Sequence, residues 1–408
     1  MASRPSAVTC CVAGGGPAGM MLGLLLARAG VSVLVLEKHA DFLRDFRGDT
    51  IHPSTLELMH ELGLLEELLR LPHQEVPRLV AQVGDTALPI ADFTHLRTRC
   101  KFIALMPQWD FLDFLARHAA GYAAFRLEMR AEATGLVEEA ERVIGVRGTA
   151  ASGPFEVRAD LVVAADGRSS ILRERAGLHV EDLGAPMDVL WFRLSRSPGD
   201  PAATMGRFDV GRIFVLINRG PHWQCGYVIP KDGAGEVRRR GLEAFRASVA
   251  ALVPFAADRV GEVRDWDDVK LLTVKVDRLR QWYRPGLLCI GDAAHAMSPV
   301  GGVGINLAIQ DAVAAANRLW MPLRVGRLTT EHLRLVQRRR EWPTRVTQWL
   351  QLQAQRRVIS PTLGRQNGRL APPRLLTVLG RHGLLGRLPA RLVGVGIRPE
   401  HVEAPALA

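Results

Sequence analysis

Cysteine is scarce in this chain: five residues in 408, Cys10, Cys11, Cys100, Cys225 and Cys289, with no paired spacing. That argues against a disulfide framework and a cysteine-based metal site, and reads as reduced core thiols of a cytoplasmic protein. Long apolar runs are missing too; none exceeds about ten residues, too few to cross a bilayer. The start of the chain lacks the layout of a signal peptide, which again points to the cytoplasm. Low-complexity tracts are absent, so the disordered and fibrous classes drop out, and the length leaves room for two or three domains. The formal net charge is +11, yet no basic motif interleaved with aromatics accompanies it, so no nucleic-acid partner is expected. Much of that charge lies late in the chain, at Arg338-Arg339-Arg340 and Arg356-Arg357, and reads as a solvated arginine-rich surface. Neither a Ser-His-Asp set nor a metal-ligand cluster can be read from spacing.

What the chain does have begins at Val8. An apolar run (Val8, Cys10, Val12) ends in Gly14-Gly15-Gly16-Pro17-Ala18-Gly19, a helical pattern follows to Gly30, and a second apolar run ends on Glu37. Strand, glycine turn, helix, strand and acid in that order form a dinucleotide cradle. Gly14 makes the tight turn, Gly16 lets backbone approach a pyrophosphate, and Gly19 lets helix and strand pack closely. Helix amides then face the phosphates, and Glu37 stands where a carboxylate accepts from both hydroxyls of an adenosine ribose.

Beyond Glu37, Arg47 lies in a polar turn-rich segment, and Ser54 with Glu57 has the spacing of a capping box that opens a short helix closed by Gly63. Residues 71–99 read as irregular structure and short strands. Pro107 suits the first turn of a helix over 108–119, which puts Gln108 at a helix start. From Phe125 to Val157 alternation predicts a three-stranded antiparallel meander, which delivers the chain to a buried strand ending at Asp166-Gly167. Residues 177–276 read as an antiparallel sheet plus one helix, 236–253; at period two, half its aromatics face a core and half another surface. The chain then returns with a buried strand ending at Gly291-Asp292-Ala293-Ala294-His295. A loop containing Pro299, Gly302 and Gly304 leads into a long helix over 305–320, so a second glycine-lined helix start points at something anionic or electron-rich.

Gly14-x-Gly16-x-x-Gly19 with Glu37, then Asp166-Gly167, then Gly291-Asp292-Ala293-Ala294-His295 together resemble the FAD-dependent aromatic hydroxylases of the para-hydroxybenzoate hydroxylase type. The resemblance spans residues 8 to 400 and implies a Rossmann-type α/β FAD-binding domain (1–176 and 277–330). It also implies an inserted antiparallel β-sheet substrate domain (177–276) and a C-terminal helical region (331–408). On that pattern Gly14, Gly16, Pro17, Ala18, Gly19 and Glu37 hold the ADP half of FAD, and Arg47 reaches the diphosphate. Gln108 lies near the ribityl chain, Gly291 and Asp292 belong to the ribityl motif, and Pro299, Gly302, Gly304, Ile305 and Asn306 border the isoalloxazine ring. Asp166 and Gly167 are implicated in both FAD and NAD(P)H binding, and Arg173 matches the family there. Lys38 stands where an arginine commonly contacts the nicotinamide cofactor and Ser169 where the family can carry a histidine, so NADPH and NADH both remain open.

The resemblance implies a monooxygenase that uses NAD(P)H and O2 to hydroxylate an aromatic or polycyclic substrate through a flavin C4a-hydroperoxide. Epoxidation, Baeyer-Villiger oxidation, reduction and non-catalytic ligand binding are the alternatives. His295 reads as a motif residue, not a base. The substrate is expected between the inserted sheet and the flavin, lined by some of Trp191, Phe208, Phe214 and Tyr227; no substrate residue of the para-hydroxybenzoate enzyme can be carried over, and the tryptophan-rich halogenase signature is missing. The C-terminal region reads as helical with a kink at Pro343. Its Trp342/Trp349 pair suits helix packing or a dimer face, leaving monomer and homodimer both open, and the run 375–395 is a candidate for lying on a membrane surface.

Overall fold

The computed structural model describes residues 4–43, 50–84, 86–201, 203–365, 367–368, 370 and 386–407. In chain order, β1 (Ala7–Ala13) enters the glycine turn, α1 (Pro17–Arg28) leaves it, and β2 (Val33–Glu37) follows with every residue buried. Next come α2 (Pro53–Glu61), β3 (Arg78–Val83), β4 (Thr86–Asp92) and α3 (Gln108–Ala119). Strands β5 (Phe125–Met129), β6 (Ala131–Glu139), β7 (Arg142–Ala150) and β8 (Gly153–Ala164) precede a second group: β9 (Met187–Ser195), β10 (Met205–Asp209), β11 (Arg212–Asn218) and β12 (His222–Pro230). Later in the chain lie α4 (Leu242–Leu252), β13 (Leu287–Cys289), α5 (Gly304–Arg324), α6 (Thr330–Ala354) and α7 (Arg387–Gly394), with shorter strands and helical turns between these elements.

Among the described residues one eight-stranded sheet has the path Tyr283–Arg284, β13, β8, β1, β2, β5, with β7 and β6 continuing from β8. β13, β8, β1, β2 and β5 run parallel, and the apolar runs of β1, β2, β13 and the end of β8 follow from helices and loops covering both faces, while the edge strand β5 carries Arg126 and Glu128. The meander differs from the alternation reading: β5 pairs in parallel with β2 and not with β6, and the three antiparallel strands are β6, β7 and β8. β8 therefore serves twice, starting in the meander and ending among the parallel strands.

A seven-stranded sheet runs Lys270–Leu272, β9, β12, β11, β10, β3, β4. The last two come from the 71–99 stretch, so the substrate-side sheet takes strands from outside 177–276. One of its faces buries Phe192, Phe214, Leu216, Trp223 and Cys225 under α4; the other carries Met187, Val189, Ile213 and Val228.

Two local expectations fail for identifiable reasons. Pro53, with no N–H to offer, takes the first helical position of α2 after His52, so Ser54 lies inside the turn and Glu57 instead accepts from the Arg99 N–H (3.0 Å). The helix expected over 236–253 breaks at Gly241, whose φ of +89° leaves separate helices Ala234–Arg240 and α4.

Gly286 joins Tyr283–Arg284 to β13 with φ +77°, and a Cβ there would sit 1.9 Å from the Val143 carbonyl oxygen. Both the left-handed backbone and the contact oppose a side chain. Gly286→Ala is expected to lower unfolding stability by at least about 2 kcal/mol, read as a fall in the urea midpoint.

Candidate active site

The cradle is built by crowding. Gly14 has φ +109°, and a Cβ on it would lie 2.3 Å from Ala165 O; one on Gly19 would lie 1.9 Å from Gly14 O. These contacts press the ends of β1 and β8 against the start of α1. Gly16 is the opposite case: it N-caps α1, and a Cβ on it would meet nothing within 4 Å. Pro17 is the first helical residue, Ala18 is buried, no side chain caps the helix, and its first turn holds no acid. Unpaired amides with the positive end of the helix dipole therefore face open space, which suits a pyrophosphate. At the end of β2 the buried Glu37 carboxylate accepts from Gly15 N (3.0 Å) and His39 N (3.0 Å). The two amides fix the orientation of this carboxylate at the strand end, beside the glycine turn.

Gly291 brings the second half of the site to the first. It follows β13 with φ +59°, and a Cβ there would lie 3.1 Å from Ala18 Cβ and 3.2 Å from Ala308 Cβ, so it sits where α1 and α5 meet. Asp292 follows, part-buried. Helix α5 starts without a side-chain cap and without an acid in its first turn, so Gly304, Ile305 and Asn306 present a second set of free amides. The Asn306 side chain is otherwise engaged: its Oδ1 accepts from His52 N (3.0 Å) and Thr55 Oγ1 (2.7 Å), and its Nδ2 donates to Thr50 O (3.2 Å). Thr50 Oγ1 donates to Gly302 O (2.9 Å); Gly302 has φ +64°, and a Cβ on it would meet that hydroxyl at 2.6 Å, so both the backbone and the contact call for glycine.

A buried ionic cluster locks these parts together. Asp311, with no exposure, accepts from Gly291 N (3.1 Å) and lies 2.6 Å from His295 Nε2 and 3.0 Å from Arg340 Nε; Arg340 continues to Glu400 (3.4 Å). Burial alone would raise the Asp311 carboxyl, but His295 and Arg340 outweigh it and hold it below the usual range. His295 is thus a structural partner of Asp311, its ring tilted at 45° against Trp282 with centroids 5.0 Å apart. From α6 and the turn after it, Gln348 Nε2 donates to Asp277 O (2.8 Å) and Ala296 O (3.1 Å). Gln351 Nε2 donates to Ser298 O (2.9 Å) and Val300 O (2.8 Å), and Gln355 Nε2 to Ser298 Oγ (2.6 Å). Those glutamines pin the backbone entering the loop 298–303, here termed the ring loop, and its first residues.

The remaining expected residues fall as follows. Arg47 lies outside the described residues. Gln108 opens α3, three residues past the strand Ile103–Leu105 that pairs with Thr50–Ile51. Lys38 is exposed, 3.6 Å from Glu132. Asp166 Oδ2 accepts from Leu172 N (3.3 Å), its Oδ1 is buried without a partner, and burial raises its carboxyl; Gly167 beside it has φ +88°. Arg173 bonds to Ala293 O (3.2 Å), joining that strand end to the Gly-Asp motif. Pro299 is exposed. Of the four aromatics, Trp191 and Phe208 lie on the sheet face that also meets Val300 of the ring loop. Phe214 and Tyr227 face the other way, and Tyr227 Oη bonds to Ser248 (2.9 Å) of α4, so both belong to the core and not to a substrate wall. Sequence reasoning missed Asp311, Arg340, His52 and the glutamines; only the glutamines carried a signal, recurring at helical spacing on one face.

Two uncapped helix starts, an open glycine between them and the strands, a prepared carboxylate and an orphaned Asp166 oxygen define a dinucleotide-cofactor enzyme and fit FAD. Residues 7–350 match the family described as FAD binding domain. The chain is 33% identical over 370 residues to 6-methylpretetramide 4-monooxygenase of Streptomyces rimosus, covering 90% of this chain and 88% of that protein. It is 28% identical to dialkyldecalin synthase of Streptomyces rugosporus, covering 77% of this chain and 66% of that protein. The fold matches p-nitrophenol 4-monooxygenase of Pseudomonas putida with a TM-score of 0.79 at 20% identity, covering 98% of this chain and 100% of that one. The chain therefore belongs to the FAD-dependent aromatic hydroxylases, single-component flavoprotein monooxygenases, as its three motifs implied.

Because the space beside Gly16 is open, Gly16→Val is expected to leave the thermal midpoint of the cofactor-free protein unchanged while weakening FAD at least about 100-fold, read by flavin fluorescence titration. His52, fully buried with Nδ1 2.7 Å from Val393 O, has its pKa pushed down to about 4 by burial, partly countered by that bond. The unfolded chain takes up the proton first. This group's contribution is therefore complete above pH 6.5 and is lost as pH falls toward 4, by about 2 kcal/mol between pH 7 and pH 5. Urea midpoints at the two pH values are expected to converge by that amount in His52→Gln.

Proposed function

We propose that this flavoenzyme hydroxylates a polycyclic aromatic substrate held between the Trp191 and Phe208 face of the seven-stranded sheet and the ring loop. The observation that carries this reading is that Val300, between the cofactor motif and α5, packs on the same apolar cluster as Trp191 and Phe208. A flat apolar ring system lying there is removed from water and placed beside the start of α5. Bound FAD supplies the redox chemistry, taking reducing equivalents from NAD(P)H and activating O2. The chain's own part is to bind, orient and exclude water. Amides of α1 hold the diphosphate, Glu37 the ribose, Asp292 the ribityl chain, and the amides of Gly304 and Ile305 favour negative charge on the reduced ring. Asp166, Gly167 and Lys38 serve NAD(P)H. On this reading 1–176 with 277–330 bind cofactor, and the sheet of 177–276, completed by β3 and β4, binds substrate. The buried free cysteines and the use of NAD(P)H favour the cytoplasm; among the described residues no helix is long and apolar enough to cross a membrane.

The name of the relative from Streptomyces rimosus speaks of oxygenation of a polycyclic compound, which supports the substrate class. The relative named a synthase keeps open a second reading, a flavin scaffold without oxygen transfer. NADPH and NADH oxidation with a panel of mono- to tetracyclic phenols under 18O2 separates them. At least about tenfold stimulation by a polycyclic member is expected, with one labelled oxygen in the product. An FAD-loaded enzyme that shows neither stimulation nor label in any product overturns the proposal.

A further inference from the structure

After α6 the helix does not simply end. Residues Gln355–Ile359 form a π-turn and Ser360–Leu363 resume as α-helix. A π-turn carries an extra residue per turn, so it rotates the face that follows, and such turns concentrate at functional sites. Here the rotation has a visible result. Gln355, at the start of the turn, bonds to Ser298 of the ring loop, while Ile359 at its end is buried in the apolar cluster of Met187, Val189 and Val228. Leu363, one turn later, packs against that cluster together with Trp191, Phe208 and Val300.

The described residues that follow lie against two turns of the sheet. Gly211 N, in the β10–β11 turn, donates to Thr362 O (3.1 Å), and a Cβ on Gly211 would lie 2.9 Å from Arg365 O. At the β3–β4 turn a Cβ on Gly84 would lie 2.5 Å from Leu370 O. Two hairpin turns of the substrate-side sheet are thus glycines, with φ +70° and +55°, at the places where this segment crosses.

We propose that Ile359 and Leu363 set the size of the substrate space over Trp191 and Phe208, so that selectivity for ring number resides in the C-terminal segment as well as the inserted sheet. The inference rests on the reading of that sheet face as the substrate side. It is tested by titrating the FAD-loaded, oxidised enzyme, without NAD(P)H, with 2-naphthol and with alizarin, following quenching of tryptophan fluorescence. The ratio of the two dissociation constants is the readout. Removing side-chain volume in Ile359→Ala and Leu363→Ala is expected to shift the ratio toward the three-ring alizarin by about tenfold, and Leu363→Phe toward naphthol. Val358→Ala, at an exposed neighbouring position, should leave it unchanged. A ratio that stays within about twofold of wild type in both Leu363 variants, each still retaining FAD, overturns the inference while the substrate-side reading survives. Wild-type protein that binds neither probe overturns both.

Discussion

A carboxylate without solvent contact sits at the junction of everything this chain must bring together. Asp311 lies on α5 and receives the Gly291 amide from the Gly-Asp motif, His295 from the end of that motif and Arg340 from α6, which in turn reaches Glu400 in the tail. Removing one partner of such a cluster leaves a buried charge uncompensated, a penalty of about 3–5 kcal/mol. The cluster therefore commits segments separated by more than a hundred residues to a single relative arrangement. The ring loop hangs between its members and inherits that arrangement without needing rigidity of its own.

Around this junction the site follows from how helices begin. α1 and α5 both start on backbone that no side chain caps, and neither carries an acid in its first turn. An uncapped start leaves amides in need of acceptors, and on the proposed reading FAD brings phosphates to one and a ring that gains negative charge to the other. Glycine governs how near the chain can come: at Gly14 and Gly19 it permits contacts no Cβ would allow, and at Gly16 it keeps a volume clear.

The cradle was legible in the sequence because its chemistry is local. A turn, a helix start and a terminal acid lie within thirty residues of Gly14, and each residue type is dictated by its immediate neighbours. The inserted sheet was legible as alternation, but alternation names two faces without saying which is which. Trp191 and Phe214 look alike until α4 is seen to cover one face. Short strands were expected within 71–99, but their place in the substrate-side sheet was hidden because the partner of β3, β10, lies more than a hundred residues away. Ser54 and Glu57 misled because a capping box competes with Pro53 for the same helix start, and proline wins by position. Nothing local in the sequence signals that Asp311 and Arg340 meet; only their mutual burial across α5 and α6 gives them a role, and burial of that kind is a property of the fold alone.

Gly291 lies between Ala18 and Ala308, close enough that a Cβ on it would crowd both, which leaves the openings of two helices separated by a spacer of backbone width. The chain consequently behaves as a caliper with a fixed gap. On the reading proposed above, one jaw takes a diphosphate and the other a ring. A ligand possessing only half of that span, such as FMN or ADP, engages one jaw alone and leaves the opposite amides to water. Recognition of the whole molecule is in this sense a measurement of its length.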